Sequence, residues 1–154
     1  MRTSVDVCNH LQSAGVKHEL VTLDGPVKNA VRMAEILGLK PAAVVKTLIF
    51  MADGQPIMAM VPGDRKVDTG KLKKHLGAAK ISFATENQVR ELADYLVVAL
   101  PPVGLKAPVK TVVDKRIKTG NIIYTAGGSP NVVLKMRAAD LLSVTGAAVA
   151  DIAE

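Results

Sequence analysis

One lysine stands inside the most apolar stretch of the chain. The segment Val44 to Phe50 reads VVKTLIF, and alternate side chains of a β-strand share a face, so Lys46 would lie with Val44, Leu48 and Phe50. Both faces are apolar apart from one residue each, which predicts a central strand covered on both sides. Burial lowers the pKa of a lysine from about 10.4, because desolvation disfavours the charged form. The segment therefore predicts either an ammonium group held for chemistry on a polar substrate, or a lysine whose stem packs on Val44 while its charge reaches water.

The other chemically reactive side chains are scattered. His10, His18 and His75 have no spacing typical of metal ligands, and no Ser-His-Asp or Cys-His set can be assembled readily. Cys8 is the only cysteine, which excludes an internal disulfide and favours a reducing, cytoplasmic compartment. We therefore expect neither a metal nor a cofactor.

Composition limits the classes of protein that remain. With 154 residues, of which 49% are hydrophobic and 22% charged, the chain fits one globular domain spanning residues 1–154. No run of eighteen apolar residues is present, so we expect no membrane span. A net charge of +6 favours polyanionic partners, nucleic acid foremost. Aromatic residues make up only 3%, so phosphate attraction and a fitted pocket would have to supply most of any RNA binding.

The basic residues fall into two groups, either of which could be an ordinary solvated face. One hypothesis is that one of these groups lies beside a substrate pocket and binds phosphates of a nucleic acid. The first contains Arg65, Lys66, Lys71, Lys73, Lys74 and Lys80, and the second contains Lys106, Lys110, Lys115, Arg116 and Lys118.

Local patterns predict an α+β (mixed α/β) domain whose strands pair in a largely antiparallel way, since several are joined by tight turns. Capping and periodicity predict helices at 4–14, 29–37, 68–75, 85–93 and 138–142. Alternation predicts strands at 18–23, 44–51, 55–61, 80–83, 111–113, 121–125, 132–136 and 147–152, with an Asp53-Gly54 hairpin turn. An apolar run, 95–100, leads into a rigid turn, Pro101-Pro102-Val103-Gly104.

Several motifs follow the lysine strand in a fixed order. They are YLVVALPPVG at 95–104, VVD at 112–114, YTAGGS at 124–129, VVL at 132–134 and ADLL at 139–142. Together they resemble the YbaK-like trans-editing deacylases, whose members have a strand of the form F/V-K-T-L, a later loop ending in P-x-G, and S/A-G-G before a strand and D-L. The resemblance covers nearly the whole chain and implies a single-domain YbaK-like fold, a mixed and largely antiparallel sheet flanked by helices.

What the resemblance implies is hydrolysis of the ester that joins a wrong amino acid to a tRNA, the tRNA for proline above all. Such proofreading exists because one methylene gives only about 1–3 kcal/mol of discrimination in an apolar pocket. By similarity, Lys46 polarises the ester. The substrate's own terminal ribose hydroxyl activates the water, so no metal or cofactor is needed. The implied partners are the acceptor end of a mischarged tRNA and, as a candidate, a prolyl-tRNA synthetase.

We expect substrate-binding residues in the loop, the apolar-apolar-Asp segment and the glycine turn. They are Val98, Ala99, Pro101, Pro102, Val103, Gly104, Asp114, Gly128 and Ser129. For Asp114 the alternative is a cap on the turn at 115–117, and for Gly128 and Ser129 it is a plain turn between strands.

The chain also departs from the family pattern. Val98 and Ala99 stand where two glycines are usual, Leu105 replaces His or Gln, and Leu23 removes a phenol. A valine narrows the approach to the pocket and restricts φ. Two alternatives stay open: a non-catalytic module that binds an aminoacyl-tRNA end or a synthetase, and a small-molecule hydrolase. The amino acid, the tRNA and the oligomeric state are not determined by the sequence.

Overall fold

The computed structural model describes all 154 residues as a mixed α+β domain with five helices and eight strands. The helices are α1 (Ser4–Ser13), α2 (Ala30–Leu37), α3 (Thr69–Leu76), α4 (Glu86–Ala93) and α5 (Ala138–Thr145). The strands are β1 (His18–Thr22), β2 (Val45–Ala52), β3 (Gln55–Pro62), β4 (Ile81–Phe83), β5 (Lys110–Asp114), β6 (Ile122–Ala126), β7 (Val132–Arg137) and β8 (Ala148–Ala150). None of the five helices has the length and apolar character needed to cross a bilayer.

The helix ends follow the capping residues seen in the sequence. Thr3 and Thr85 each form a capping box, in which the side chain accepts from a backbone N–H of the first turn while Asp6 or Gln88 accepts from the cap's own N–H. Asp68 caps α3 through the backbone N–H of Lys71. These three predicted helix starts are confirmed.

The strands divide between two sheets, which the sequence pattern does not show. One has the order β1-β7-β6 and is antiparallel throughout; the other has the order β4-β2-β3-β5-β8. In the larger sheet β4, β2 and β3 pair antiparallel, whereas β5 and β8 add parallel strands. Largely antiparallel pairing is therefore confirmed.

Strand β2 is covered on both faces, as its sequence predicts. Val45 and Ile49 belong to the main core, which also takes side chains from α1, α4, α5 and the smaller sheet. Phe50 points the other way, into a second core beneath α3 that includes Leu72 and Ile152. Val44 lies outside the regular strand and forms a parallel bridge to Tyr124 of the smaller sheet, so the chain bends between the two sheets just before Lys46.

The edge of β2 is open over its first half, and this opening is what creates the site. Strand β4 pairs only with residues 50–52 of β2, and the N–H of Ala84 donates to the carbonyl of Ile49. Toward the start of the strand, no regular ladder continues on that side: β6 meets this edge only at the bridge between Val44 and Tyr124 and where the hydroxyl of Thr125 donates to the carbonyl of Val45 at 2.8 Å. Since backbone groups alternate in direction along a strand, the N–H and C=O of Thr47 face the same open edge.

Candidate functional site

A cavity of about 230 Å³ opens at the unpaired edge of β2 and includes Lys46. Its walls come from the loop before α2, the start of β2, the segment before the proline turn, and the end of β6. The lining residues are Val27, Lys28, Asn29, Ala30, Met33, Val44, Val45, Lys46, Thr47, Leu48, Val97, Val98, Leu100, Thr125 and Ala126. Ten of these 15 residues are hydrophobic, so a polar group entering the cavity exchanges most of its water for protein.

Lys46 carries the cavity's most perturbed charge. Burial lowers the pKa of its ammonium, the nearby carboxylate of Asp64 raises that pKa, and the charge of Lys66 lowers it. None of the eight salt bridges of the chain includes Lys46. The ammonium is therefore partly desolvated and free to interact with a polar group of a ligand, which is the arrangement that gives an electrostatic contact its strength.

Two threonines fasten the smaller sheet to the open edge of β2. The buried hydroxyl of Thr125 donates to the carbonyl of Val45 at 2.8 Å, so its oxygen is left to accept from the hydroxyl of Thr47 at 3.3 Å. This junction fixes the position of the strand beside the cavity. The backbone N–H of Thr47 is then directed at the opening, where it can donate to a bound carbonyl oxygen, and its C=O can accept from a bound ammonium.

Sequence reasoning missed both threonines and the wall formed by the start of α2. A polar residue within the apolar segment Ile122–Ala126 was the available signal for Thr125. Nothing local indicates that Asn29 and Met33, which precede Lys46 by more than ten residues, would share a cavity with it.

Val98 and Ala99 lie in a short 3₁₀ turn, Val97–Ala99, at the mouth of the cavity. Val98 lines the cavity and keeps 50% of its side chain exposed. Ala99 is buried, and its carbonyl accepts from the N–H of Gly128 at 3.0 Å. Val98 is thus the member of this pair that a ligand would meet.

Gly128 and Ser129 support this turn from behind and do not line the cavity. Gly128 has a φ of +96°, and an added Cβ would lie 2.9 Å from the side chain of Val7 and 3.0 Å from the N of Ser4. The hydroxyl of Ser129 accepts from that N–H of Ser4 at 3.0 Å. The glycine is therefore required for close packing of the β6–β7 turn on α1.

The proline turn, residues 101–104, does not line the Lys46 cavity. Pro101 is buried outside the Lys46 cavity, and Pro102, Val103 and Gly104 line a different cavity of about 270 Å³ together with residues of α1 and α5. The carbonyl of Gly104 accepts from the buried hydroxyl of Tyr95 at 2.7 Å, which pulls the turn inward. The wall next to Lys46 is thus formed by residues 97–100 and not by the P-x-G sequence itself.

Asp114 is also remote from the cavity and is engaged structurally. Its side chain is completely buried, and one carboxylate oxygen accepts from the N–H groups of Ile152 and Ala153 at 3.0 and 3.1 Å. The other accepts from the N–H of Arg116 at 3.1 Å, in keeping with the predicted turn cap, while the Arg116 guanidinium completes the ion pair. Asp114 anchors the C-terminal segment.

No aspartate, glutamate, histidine or cysteine lines the Lys46 cavity. A carboxylate, imidazole or thiol that could act as base or nucleophile is therefore missing from its wall. The polar groups of the wall are the ammonium groups of Lys28 and Lys46, the amide of Asn29, the backbone N–H and C=O of Thr47, and the hydroxyl groups of Thr47 and Thr125. Such a set can orient a polar ligand and stabilise developing negative charge, with the proton transfer left to other groups.

Comparison with solved structures agrees with the fold. A crystal structure of a protein assigned as a trans-editing enzyme for prolyl-tRNA synthetase superimposes with a TM-score of 0.89 at 28% identity, covering 98% of this chain and 96% of that one. A hypothetical protein superimposes with a TM-score of 0.91 at 30% identity, covering 97% of this chain and 99% of that chain.

Sequence relatives extend the agreement. The proline–tRNA ligase of Levilactobacillus brevis is 35% identical over 103 residues, which is 67% of this chain and 18% of the ligase. That of Maridesulfovibrio salexigens is 42% identical over 82 residues, 53% of this chain and 14% of the ligase. The chain thus spans less than a fifth of the length of these two relatives. The model of the aminoacyl-tRNA editing domain matches residues 24–144, and the chain belongs to that family.

Proposed function

We propose that this chain is an aminoacyl-tRNA deacylase that hydrolyses the ester of a mischarged tRNA at the Lys46 cavity. The observation that carries the proposal is an unpaired, partly desolvated ammonium beside an open strand edge, in a chain of the editing family. The likeness to proline–tRNA ligases and to a trans-editing enzyme for prolyl-tRNA synthetase favours a tRNA for proline as the substrate. It also favours a prolyl-tRNA synthetase as a partner.

The reaction balances without a metal or a covalent enzyme intermediate. Water adds to the ester carbonyl, and the resulting oxyanion lies against the ammonium of Lys46 and the N–H of Thr47. The oxyanion then collapses, the bond between the acyl carbon and the ribose oxygen breaks, and that oxygen takes up a proton. The products are the free amino acid and a tRNA with its terminal hydroxyl restored.

The base that activates the water is supplied by the substrate. The cavity wall has no carboxylate, imidazole or thiol, and the vicinal hydroxyl of the terminal ribose adjoins the ester and can shuttle the proton. A tRNA that lacks this hydroxyl leaves all groups of the enzyme in place but removes the route by which the proton leaves the water.

The size of the cavity restricts the acyl group. At about 230 Å³ it is smaller than the roughly 300–1,000 Å³ typical of sites for drug-sized ligands, so it suits an aminoacyl group better than an aminoacyl group together with its nucleotide. Val98 stands at its mouth. A short amino acid side chain fits this arrangement better than a bulky one.

Substitution of Lys46 tests the proposal. With a panel of mischarged tRNAs, Lys46→Ala and the longer, uncharged Lys46→Met should each reduce the rate of amino acid release at least about a hundredfold. The exposed Lys40→Ala, on the segment leading to β2, serves as the control and should turn over normally. Unchanged turnover by both Lys46 variants would show that this residue is not the catalytic group.

A second candidate function is a non-catalytic module that binds the aminoacylated end of a tRNA. The observation favouring it is Val98, a half-exposed valine that lines the cavity. The same panel separates the two functions, since a module would bind mischarged tRNA without releasing any amino acid.

A further inference from the structure

The Lys46 cavity offers a binding place for the aminoacyl group of the substrate but none for its nucleotides. Its volume of about 230 Å³ is too small for an aminoacyl group together with the terminal nucleotide, which leaves the terminal base at the surface next to the opening. This surface continues along the edge of β2. The cavity borders residues 44–48 of that strand, and strand β4 begins to occupy the edge at residue 50.

Phe83 stands at that boundary. It is the last residue of β4, lies directly opposite Phe50, and has 63% of its surface exposed. Cross-strand partners share a face, so Phe83 is on the same side of the sheet as Phe50, Leu48 and Lys46. Leu48 lines the cavity and is two residues from Phe50, a separation of about 7 Å along the strand. An extended nucleotide spans such a distance.

The ring of Phe83 is held in place from below. Its centroid lies 4.5 Å from that of Phe50, at an interplanar angle of 33°, and Phe50 is completely buried. One side of the exposed ring is therefore fixed against the core while the rest meets solvent. A rigid, exposed aromatic face is the kind of surface on which unpaired RNA bases stack.

The charge around Phe83 suits an RNA strand. An open groove of about 840 Å³ adjoins β4 and includes Lys73, Lys80 and the hydroxyl-bearing Ser82 next to Phe83. Asp53 also lies in this groove, but its carboxylate accepts from the backbone N–H groups of Ala79 and Lys80 at 2.8–3.2 Å. The charge of Asp53 is felt by Lys73, but neither Lys73 nor Lys80 forms a salt bridge, so both ammonium groups can still meet phosphates of a strand that passes Phe83.

We propose that Phe83 is the stacking platform for an unpaired base at the 3′ end of the tRNA, with Lys73 and Lys80 holding the adjoining phosphates. The inference rests on the proposed function in taking a tRNA end as the ligand. It adds a base-binding position outside the cavity. It also makes Phe83 a residue that contributes to affinity and not to the chemical step.

Binding of uncharged tRNA to the full chain, measured by fluorescence anisotropy, tests this position. Phe83→Leu keeps apolar contact with Phe50 but removes the ring, and it should weaken binding of intact tRNA about 5- to 150-fold, as expected for the loss of one stacked base. Phe83→Tyr retains the ring and should bind as the wild type does. Val149→Ala changes another exposed apolar residue, 53% exposed on the opposite edge strand of the same sheet, and should also have no effect.

A tRNA shortened by its unpaired 3′ nucleotides provides the decisive comparison. The wild type and Phe83→Leu should bind this shortened tRNA with equal affinity. The stacking proposal would be overturned if the two proteins bound intact tRNA with equal affinity, or if Phe83→Leu weakened the binding of both RNAs to the same extent. Because no ester is present, that result leaves the role of Lys46 in place, whereas a wild-type chain that binds neither RNA would overturn the proposed function itself.

Discussion

Gly63 occupies the tightest position next to strand β2, and replacing it should disturb the fold in a calculable way. It follows β3, and its N–H donates to the carbonyl of Val44 at 2.6 Å. A Cβ placed on Gly63 would lie 2.6 Å from the carbonyl oxygen of Pro41, 3.0 Å from that of Val44 and 3.1 Å from the Cβ of Ala30. Two of these neighbours are backbone atoms, so they cannot rotate away.

The magnitude follows from the overlap. Ordinary contact begins at 3.4 Å, so the Pro41 oxygen and the new Cβ must separate by 0.8 Å, the difference between 3.4 and 2.6 Å. Forcing an extra carbon into a packed site costs about 1–3 kcal/mol. The shift also breaks or strains the bond to Val44, at about 0.5–1.5 kcal/mol. We therefore predict that Gly63→Ala lowers the free energy of unfolding by about 1.5–4.5 kcal/mol.

Thermal and urea unfolding followed by circular dichroism would measure this loss. For a chain of this length, a central loss of about 3 kcal/mol corresponds to a fall in Tm of roughly 9 °C. Gly120→Ala is the matched control, since a Cβ there meets nothing within 4 Å, and its stability should stay within about 0.5 kcal/mol of wild type. A Gly63→Ala protein as stable as the Gly120→Ala control would refute the packing argument.

Two further predictions concern charge. If the charged form of Lys46 is the active one, kcat/KM should fall as the pH rises through the lowered pKa of this lysine. Asp64→Asn should move that fall to lower pH, because the Asp64 charge raises the pKa of Lys46. Lys66→Gln should move it to higher pH, because the Lys66 charge lowers that pKa. The uncatalysed ester hydrolysis is subtracted, and a profile unmoved by either substitution would contradict the electrostatic assignment. Asp114→Asn should cost about 1–3 kcal/mol of stability in urea unfolding, because one amide oxygen cannot replace the two carboxylate oxygens that accept from Ile152, Ala153 and Arg116, although Arg116 keeps Asp151 as a partner. KM should stay unchanged where the variant is folded. A raised KM with normal stability would instead make Asp114 a substrate ligand.

The sequence predicted those features that depend on near neighbours. Thr3, Asp68 and Thr85 cap their helices through bonds to residues within the first turn, so residue type and spacing are sufficient. The Asp53-Gly54 turn is also a local feature. Both of its residues have positive φ angles, which aspartate and glycine tolerate. Alternation in 44–51 correctly placed Lys46 on a strand covered on both faces, since a period of two leaves no other way to bury both sets of side chains.

The composition of the site was beyond such reasoning. The P-x-G turn was expected beside Lys46, yet Tyr95 draws the carbonyl of Gly104 into the core and leaves Val98 at the mouth. Phe83 ends a strand that the sequence predicts, and only the structure shows that it is 63% exposed there.

The sequence by itself determined that a lysine would lie on a buried strand and that the chain has the motifs of an editing domain. The tertiary structure alone decided that β2 keeps an open edge and that Thr125 closes onto it. That contact joins residues 80 positions apart. Such pairings depend on how two sheets meet, which no local pattern of residues specifies.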